Sequence, residues 1–308
     1  MINGVFYDAP FSLVIEPAMK ENVLTRTIIL LNIFLLLLTA DAKSQSPIMI
    51  KNHWMLTDVT ISNAGVAQKV SGMIDTDCSV CFIDSTFAAD SCRIKDEQGK
   101  KSIDNTSGKS INSSYVYLDS ISFGEVVYSN VLCCIVDLAG KLQQFAPKFI
   151  IGGDILKRDL WCFDLKENKL QCLKSIPDNV VTTISWKNYA DAGLNEIYFK
   201  GKIGGKNTRI LFDTGSRRNE LLSTSKLTPM SLIKIPRANI AESLSYKEVG
   251  LCEDVPVEID NYSFKVDFIK PNEKGAEYPR INADFLQGKK WVLDYKHRSL
   301  YILSSQTK

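Results

Sequence analysis

Short β-rich runs broken by turn residues dominate the chain beyond its first forty positions. Tyr115-Val116-Tyr117-Leu118, Ile121-Ser122-Phe123 and the run from Val131 to Val136 are β-branched and aromatic, with Asp-Ser and Gly between them. Val255-Pro256-Val257-Glu258-Ile259 and Tyr262-Ser263-Phe264-Lys265-Val266 flank Asp260-Asn261, a good turn pair. Trp161 to Leu165 and Trp291 to Tyr295 read as strands, each followed by a polar turn and a return strand. Helical signals are brief: near Asp154–Arg158 and Asp284–Gln287, after Ser85, and around Ser225. The pattern predicts an all-β fold.

The first forty residues differ. Lys20 and Arg26 precede the apolar run 27–40, and Ala40-Asp41-Ala42 follows it. A basic segment, a short apolar run and an A-x-A exit form a secretory signal. The other reading is a membrane anchor, but this run is shorter than the roughly 20 residues needed to span a bilayer. Residues 1–42 are therefore expected to be a leader, with Met19 a possible start, and the mature protein to be periplasmic or extracellular. Its membrane involvement would end with that signal.

The mature chain repeats itself. Ile74-Asp75-Thr76-Asp77-Cys78-Ser79 answers Phe212-Asp213-Thr214-Gly215-Ser216, and each follows a Gly-containing hairpin pattern. Further on, Asp154-Ile155-Leu156 with Trp161, Asp164 and Leu170 answers Asp284-Phe285-Leu286 with Trp291, Asp294 and Leu300, at the same offsets. Two matched blocks in one order predict a duplicated unit. The join falls near Ile176-Pro177, giving a first lobe over 43–176 and a second over 177–308.

Each half resembles a retropepsin-like lobe of the aspartyl proteases. An apolar strand leads to Asp-Thr-Gly-Ser/Ala, and an apolar-Gly block precedes Asp-φ-Leu, as in Ile150-Ile151-Gly152-Gly153-Asp154-Ile155-Leu156. The similarity runs from about 54 to 303 and looks like the bacterial form with both lobes on one chain. It implies two β-barrel lobes, a monomer forming an intramolecular pseudo-dimer, and a peptide or protein substrate in the cleft between them. It also implies that Asp75 and Asp213 are a catalytic pair. Thr76 and Thr214 would hydrogen-bond across the lobes, and Gly215 would let the backbone approach the carboxylates. Two adjacent carboxylates share a proton, one activating a water while the other stabilises the oxyanion. Carboxylates and water suffice, so no cofactor is implied. Asp154 and Asp284 read as helix caps and Trp161 and Trp291 as core aromatics.

The pattern breaks at two places. Asp77 replaces the family's Gly, placing a third carboxylate beside the pair. Arg280-Ile281-Asn282-Ala283 lacks the Gly of the apolar block, and Arg217 and Arg218 follow the second loop directly. Two readings follow: an exported endopeptidase, or a homologue that binds peptide or ligand without hydrolysis. A net charge of +2, with both signs interspersed, argues against nucleic acid. Export would place the eight cysteines in an oxidising compartment, where some should pair. Cys162 and Cys172 flank a hairpin pattern and could approach, though connectivity is open. Cys78-x-x-Cys81 lacks a second pair for zinc and the βαβ context of a redox motif. A covering flap is expected from Lys101–Tyr115.

Overall fold

The computed structural model describes residues 42–304 apart from 96, 105–109, 188, 190–194, 240–241 and 274–275. All but the last position of the expected leader, including the apolar run 27–40, lies outside the described residues. Among the described residues no helix is long and apolar enough to cross a membrane.

The fold is mostly β. The first half carries β1 (Ala42–Lys51), β2 (Trp54–Asn63), β3 (Val66–Ile74), β4 (Cys81–Asp84) and β5 (Gly99–Asp104). It continues through β6 (Ser110–Phe123), β7 (Val126–Val136), β8 (Phe149–Ile151), β9 (Leu160–Asp164) and β10 (Lys169–Leu173). The second half carries β11 (Val180–Lys187), β12 (Ile197–Ile203), β13 (Lys206–Phe212), β14 (Asn219–Glu220) and β15 (Ser231–Asn239). It ends with β16 (Glu242–Ile259), β17 (Tyr262–Lys270), β18 (Arg280–Ile281), β19 (Lys290–Asp294) and β20 (Ser299–Leu303).

Pairings in one half answer those in the other. The hairpin β2–β3 turns on Ala64 and Gly65 at φ of 48° and 77°, and β12–β13 turns on Gly204 and Gly205 at 56° and 78°. Left-handed backbone at both central residues is the two-residue hairpin turn whose twist matches the strands. β3 runs parallel to β8 and β13 parallel to β18. β4 lies parallel to β7 and antiparallel to β8, as β14 does to β17 and β18. Hairpins β5–β6 and β15–β16 also correspond.

A shared sheet joins the halves in the order β1-β10-β9-β19-β20-β11, antiparallel throughout. The order reads alike from either end. At its centre Trp291 faces Phe163 in register, and their rings stack with centroids 4.0 Å apart. Trp161 and Trp291 are both buried in one core spanning the halves. Burial of such aromatics supplies the largest single apolar contributions to a core.

Several local expectations need correction. Residues around Ser225 form a turn, not a helix, whereas Leu138–Leu142 is helical. Asp137 caps that helix, its side chain accepting from Gly140 N at 2.7 Å, and Leu138 and Leu142 bury one face. Asp119-Ser120 does not break β6, which keeps one register against β7 on both sides of the pair, and Asp119 accepts from Ala64 N of the β2–β3 turn at 2.7 Å. No disulfide joins any of the eight cysteines. Cys162 pairs with Gln171 and Cys172 with Trp161, so the two thiols lie one register apart and on opposite faces of the sheet. The Lys101–Tyr115 stretch, expected to lack strand pattern, contains the arms of β5–β6, while its tip at 105–109 lies outside the described residues.

Candidate functional site

Both Asp-Thr loops begin where a buried strand ends beside a parallel neighbour. Asp75 follows β3, and its amide donates to Ile151 O at the end of β8, 3.0 Å away. Asp213 follows β13, and its amide donates to Ile281 O at the end of β18, 2.9 Å away. The strands thus aim both carboxylates at one place, where Asp75 is 7% and Asp213 3% exposed. The threonines lock the loops together. Thr76 Oγ1 donates to Phe212 O and Thr214 Oγ1 to Ile74 O, both at 2.8 Å. Each hydroxyl also accepts from the other threonine's amide at 3.1 Å. Four reciprocal bonds satisfy buried backbone groups that neither half could satisfy alone.

The two loops differ at the next residue. Gly215 lies so close to Asp75 that a Cβ there would fall 2.2 Å from Asp75 Oδ2. Asp77 holds the same register in the first loop and does carry a Cβ. Asp213 therefore cannot mirror the pose of Asp75, and its Oδ2 accepts from Arg280 Nη1 at 2.8 Å. Asp75 takes three bonds instead: Oδ1 from the amides of Asp77 (2.9 Å) and Cys78 (3.2 Å), Oδ2 from the Cys78 thiol (3.0 Å).

Burial governs the protons here. It is the first cause that pushes the Asp75 carboxyl up to about 6, the charge of Asp213 being the second; the three bonds pull the other way. Burial, then Asp213, also raises Asp77, against the pull of Arg280. Asp77 Oδ1 is buried without a hydrogen-bond partner among the described residues. At Arg280 burial works against the charge, but Asp213, Glu220 and Asp77 outweigh it and hold the guanidinium protonated. Behind the loops the buried Tyr295 hydroxyl keeps its proton through burial, then through the charges of Asp75 and Asp77.

The walls beside the loops have opposite character. In the first half Met73 faces Ile150 and Phe82 faces both Ile150 and Cys134, in one apolar cluster that Val80 and Trp54 flank. The same registers in the second half hold Leu211, Arg280, Glu220 and Ile269. Val80 has its counterpart in Arg218. An Ile–Phe contact has thus become an Arg–Glu contact, and Arg237 of β15 adds its own bonds to Glu220 at 2.9 and 3.1 Å.

Above the loops, Ala238 near the end of β15 packs on the first-half cluster with Cys78, Ile103, Ile111 and Tyr115. Trp54 Nε1 donates to Gly215 O at 2.7 Å, tying the start of β2 to the second loop.

Asp154 and Asp284 do not cap their helices. Gly152 and Asn282 hold those positions, and the Asn282 side chain accepts from Asp284 N at 3.0 Å. Asp154 is instead buried near the Cys81 thiol, and burial pushes its carboxyl up to about 6. Gly152 is required at its position, since a Cβ would lie 2.2 Å from Val80 O. Reasoning on sequence missed Cys78, Tyr295 and the contact of Arg280 with Asp213; the first follows the motif directly and was open to notice. Among the described residues no group of three or more His, Cys, Asp or Glu could hold a metal ion.

Residues 57–155 match the aspartyl protease family. The aspartyl-protease match runs from within β2 into the short helix after β8 and contains Asp75, Thr76 and the wall residues Met73, Val80, Phe82, Cys134 and Ile150, with Trp54 just before it. Asp213 and its loop lie beyond it. No curated protein matches the chain.

Proposed function

We propose that the chain is an exported aspartic-type endopeptidase, built from two duplicated barrel-like lobes, that hydrolyses peptides in the cleft between them. The carrying observation is the reciprocal threonine lock, which brings Asp75 and Asp213 together at equivalent strand ends. In this reading Asp75 is the acid. Its carboxyl at about 6 keeps a proton through mildly acidic conditions and can donate to the peptide carbonyl as the oxyanion forms. Asp213 is the base. Arg280 engages its Oδ2, while Oδ1 accepts no hydrogen bond among the described residues and is the atom that would take a proton from the attacking water. Thr76, Thr214 and Gly215 position the pair.

A second reading, peptide binding without hydrolysis, is favoured by Asp77 and Arg280. A base held in a buried ion pair is less able to turn toward water, and a third carboxylate competes for the shared proton.

Incubation with a diverse peptide mixture across acidic to neutral pH, read by mass spectrometry, separates the two. Hydrolysis predicts cuts that vanish in both Asp75→Asn and Asp213→Asn. Intact peptides from a folded protein at every pH would reject hydrolysis and leave binding.

A further inference from the structure

Arg217 and Arg218 stand directly after the second loop, two residues from the glycine that touches Asp75. Arg217 packs against the first half, its guanidinium carbon 4.3 Å from the centre of the Phe145 ring and 5.7 Å from that of Trp54. Stacking occupies the faces of a guanidinium and leaves its in-plane N–H donors free to bind. Among the described residues Arg217 Nε is buried without a hydrogen-bond partner. Arg218 is half-buried beside the charges of Arg217 and Arg237, and no carboxylate among the described residues pairs with it. Arg237 and Arg280 differ: Glu220 and Asp213 answer them. The registers that hold Arg217 and Arg218 hold Ser79 and Val80 in the first half, so the backbone does not demand cations there.

We propose that Arg217 and Arg218 form a subsite for the carboxylate of an Asp or Glu side chain in a peptide lying along the second-half wall. The inference rests on the peptide-cleft reading above but not on hydrolysis. Two adjacent, half-buried, like-charged groups repel each other and lose hydration, and an anion between them relieves both. The burial that lowers both arginines, and the repulsion added at Arg218, mark this unmet charge. A carboxylate matches the fork of a guanidinium in two parallel bonds; Arg217 Nε is buried, so its two terminal amino groups are the pair that would make them. The facing wall is apolar, so the preferred peptide carries its acid on one side and apolar groups on the other.

The test uses the full-length protein with Asp75→Asn, so that peptides bind without turnover. Two fluorescent octapeptide libraries, identical except for Glu or Gln at one central position, are compared by anisotropy at low and high salt. The Glu library should bind about tenfold tighter or more, as for a charge-assisted hydrogen bond, with the gap shrinking in salt. Arg218→Gln should remove most of that gap and Arg218→Lys should keep part of it. Arg218 makes no ring contact among the described residues, so its variants test the subsite even where Arg217→Gln unfolds. Equal binding of both libraries, or a gap that survives Arg218→Gln, overturns the subsite and leaves the peptide reading standing. No binding by either library overturns both. Cleavage by the unsubstituted protein reports separately on hydrolysis.

Discussion

Asp75→Asn should make the protein more stable at neutral pH while abolishing any cleavage. Asp75 is 7% exposed, and burial followed by Asp213 moves its carboxyl from 3.8 to about 6. That separation, at about 1.4 kcal/mol per tenfold, is about 3 kcal/mol. The sign follows from proton linkage. Between about pH 4 and 6 the folded protein holds a proton that the unfolded chain has lost. This contribution is complete below about pH 4 and disappears as pH rises through about 6. Asparagine has the shape of the protonated acid and no charge to bury. The variant should therefore match the parent near pH 4 and exceed it by up to about 3 kcal/mol at pH 7. For a domain of this size that is roughly 6–12 °C in melting temperature. Calorimetric melts of both proteins at closely spaced pH values measure it. A constant offset at all pH values, or no gain at pH 7, would refute the claim that burial of the Asp75 charge is what raises its carboxyl.

Thr214→Val leaves Ile74 O and Thr76 N buried without their partners, a loss of about 2–6 kcal/mol at about 1–3 for each group. Urea unfolding checks this, and a change below about 0.5 kcal/mol, the range of ordinary surface substitutions, would show the lock to be unimportant. Arg280→Met removes one member of a buried ion pair, which costs about 3–5 kcal/mol. The loss should be greater at pH 7 than at pH 4, because protons on Asp75 and Asp77 replace the missing cation at low pH; adding Asp77→Gly should restore part of it, and strict additivity of the two changes would deny their coupling. Titration of the denatured protein with a thiol reagent, without prior reduction, should find all eight thiols. Fewer would mean that a disulfide forms in the isolated protein.

What the sequence made legible was local. Gly204-Gly205 and Ala64-Gly65 could be read as hairpin turns because left-handed backbone at adjacent positions restricts the residues that fit. The run of Trp161, Asp164 and Leu170, repeated at Trp291, Asp294 and Leu300, was readable because one strand and its return need no distant partner to show their pattern. What escaped was register and contact across the chain. Cys162 and Cys172 flank one hairpin, yet a single step of register places them on opposite faces. The helix Leu138–Leu142 is too short to show a period, and only Asp137 and Gly140 mark it.

The candidate site shows the same division more sharply. Asp75 and Asp213 stood out because each sits in a repeated motif. Arg280 showed only as part of a block without its glycine, since its meaning depends on strands far apart in sequence. Once β4 is aligned with β14 and β8 with β18, Arg280 falls on Ile150 and Glu220 on Phe82, two apolar positions turned charged together. Asp77, in the place of the motif glycine, belongs with them. A half-buried carboxylate beside Asp213 adds negative charge and takes the space that Asp213 would need to mirror Asp75. A buried guanidinium opposite supplies the countercharge and an alternative partner for Asp213. The two departures from the motif are then one compensated change. It preserves the paired loops while moving one carboxylate toward an arginine, and under the two proposed readings that movement is what separates hydrolysis from binding alone.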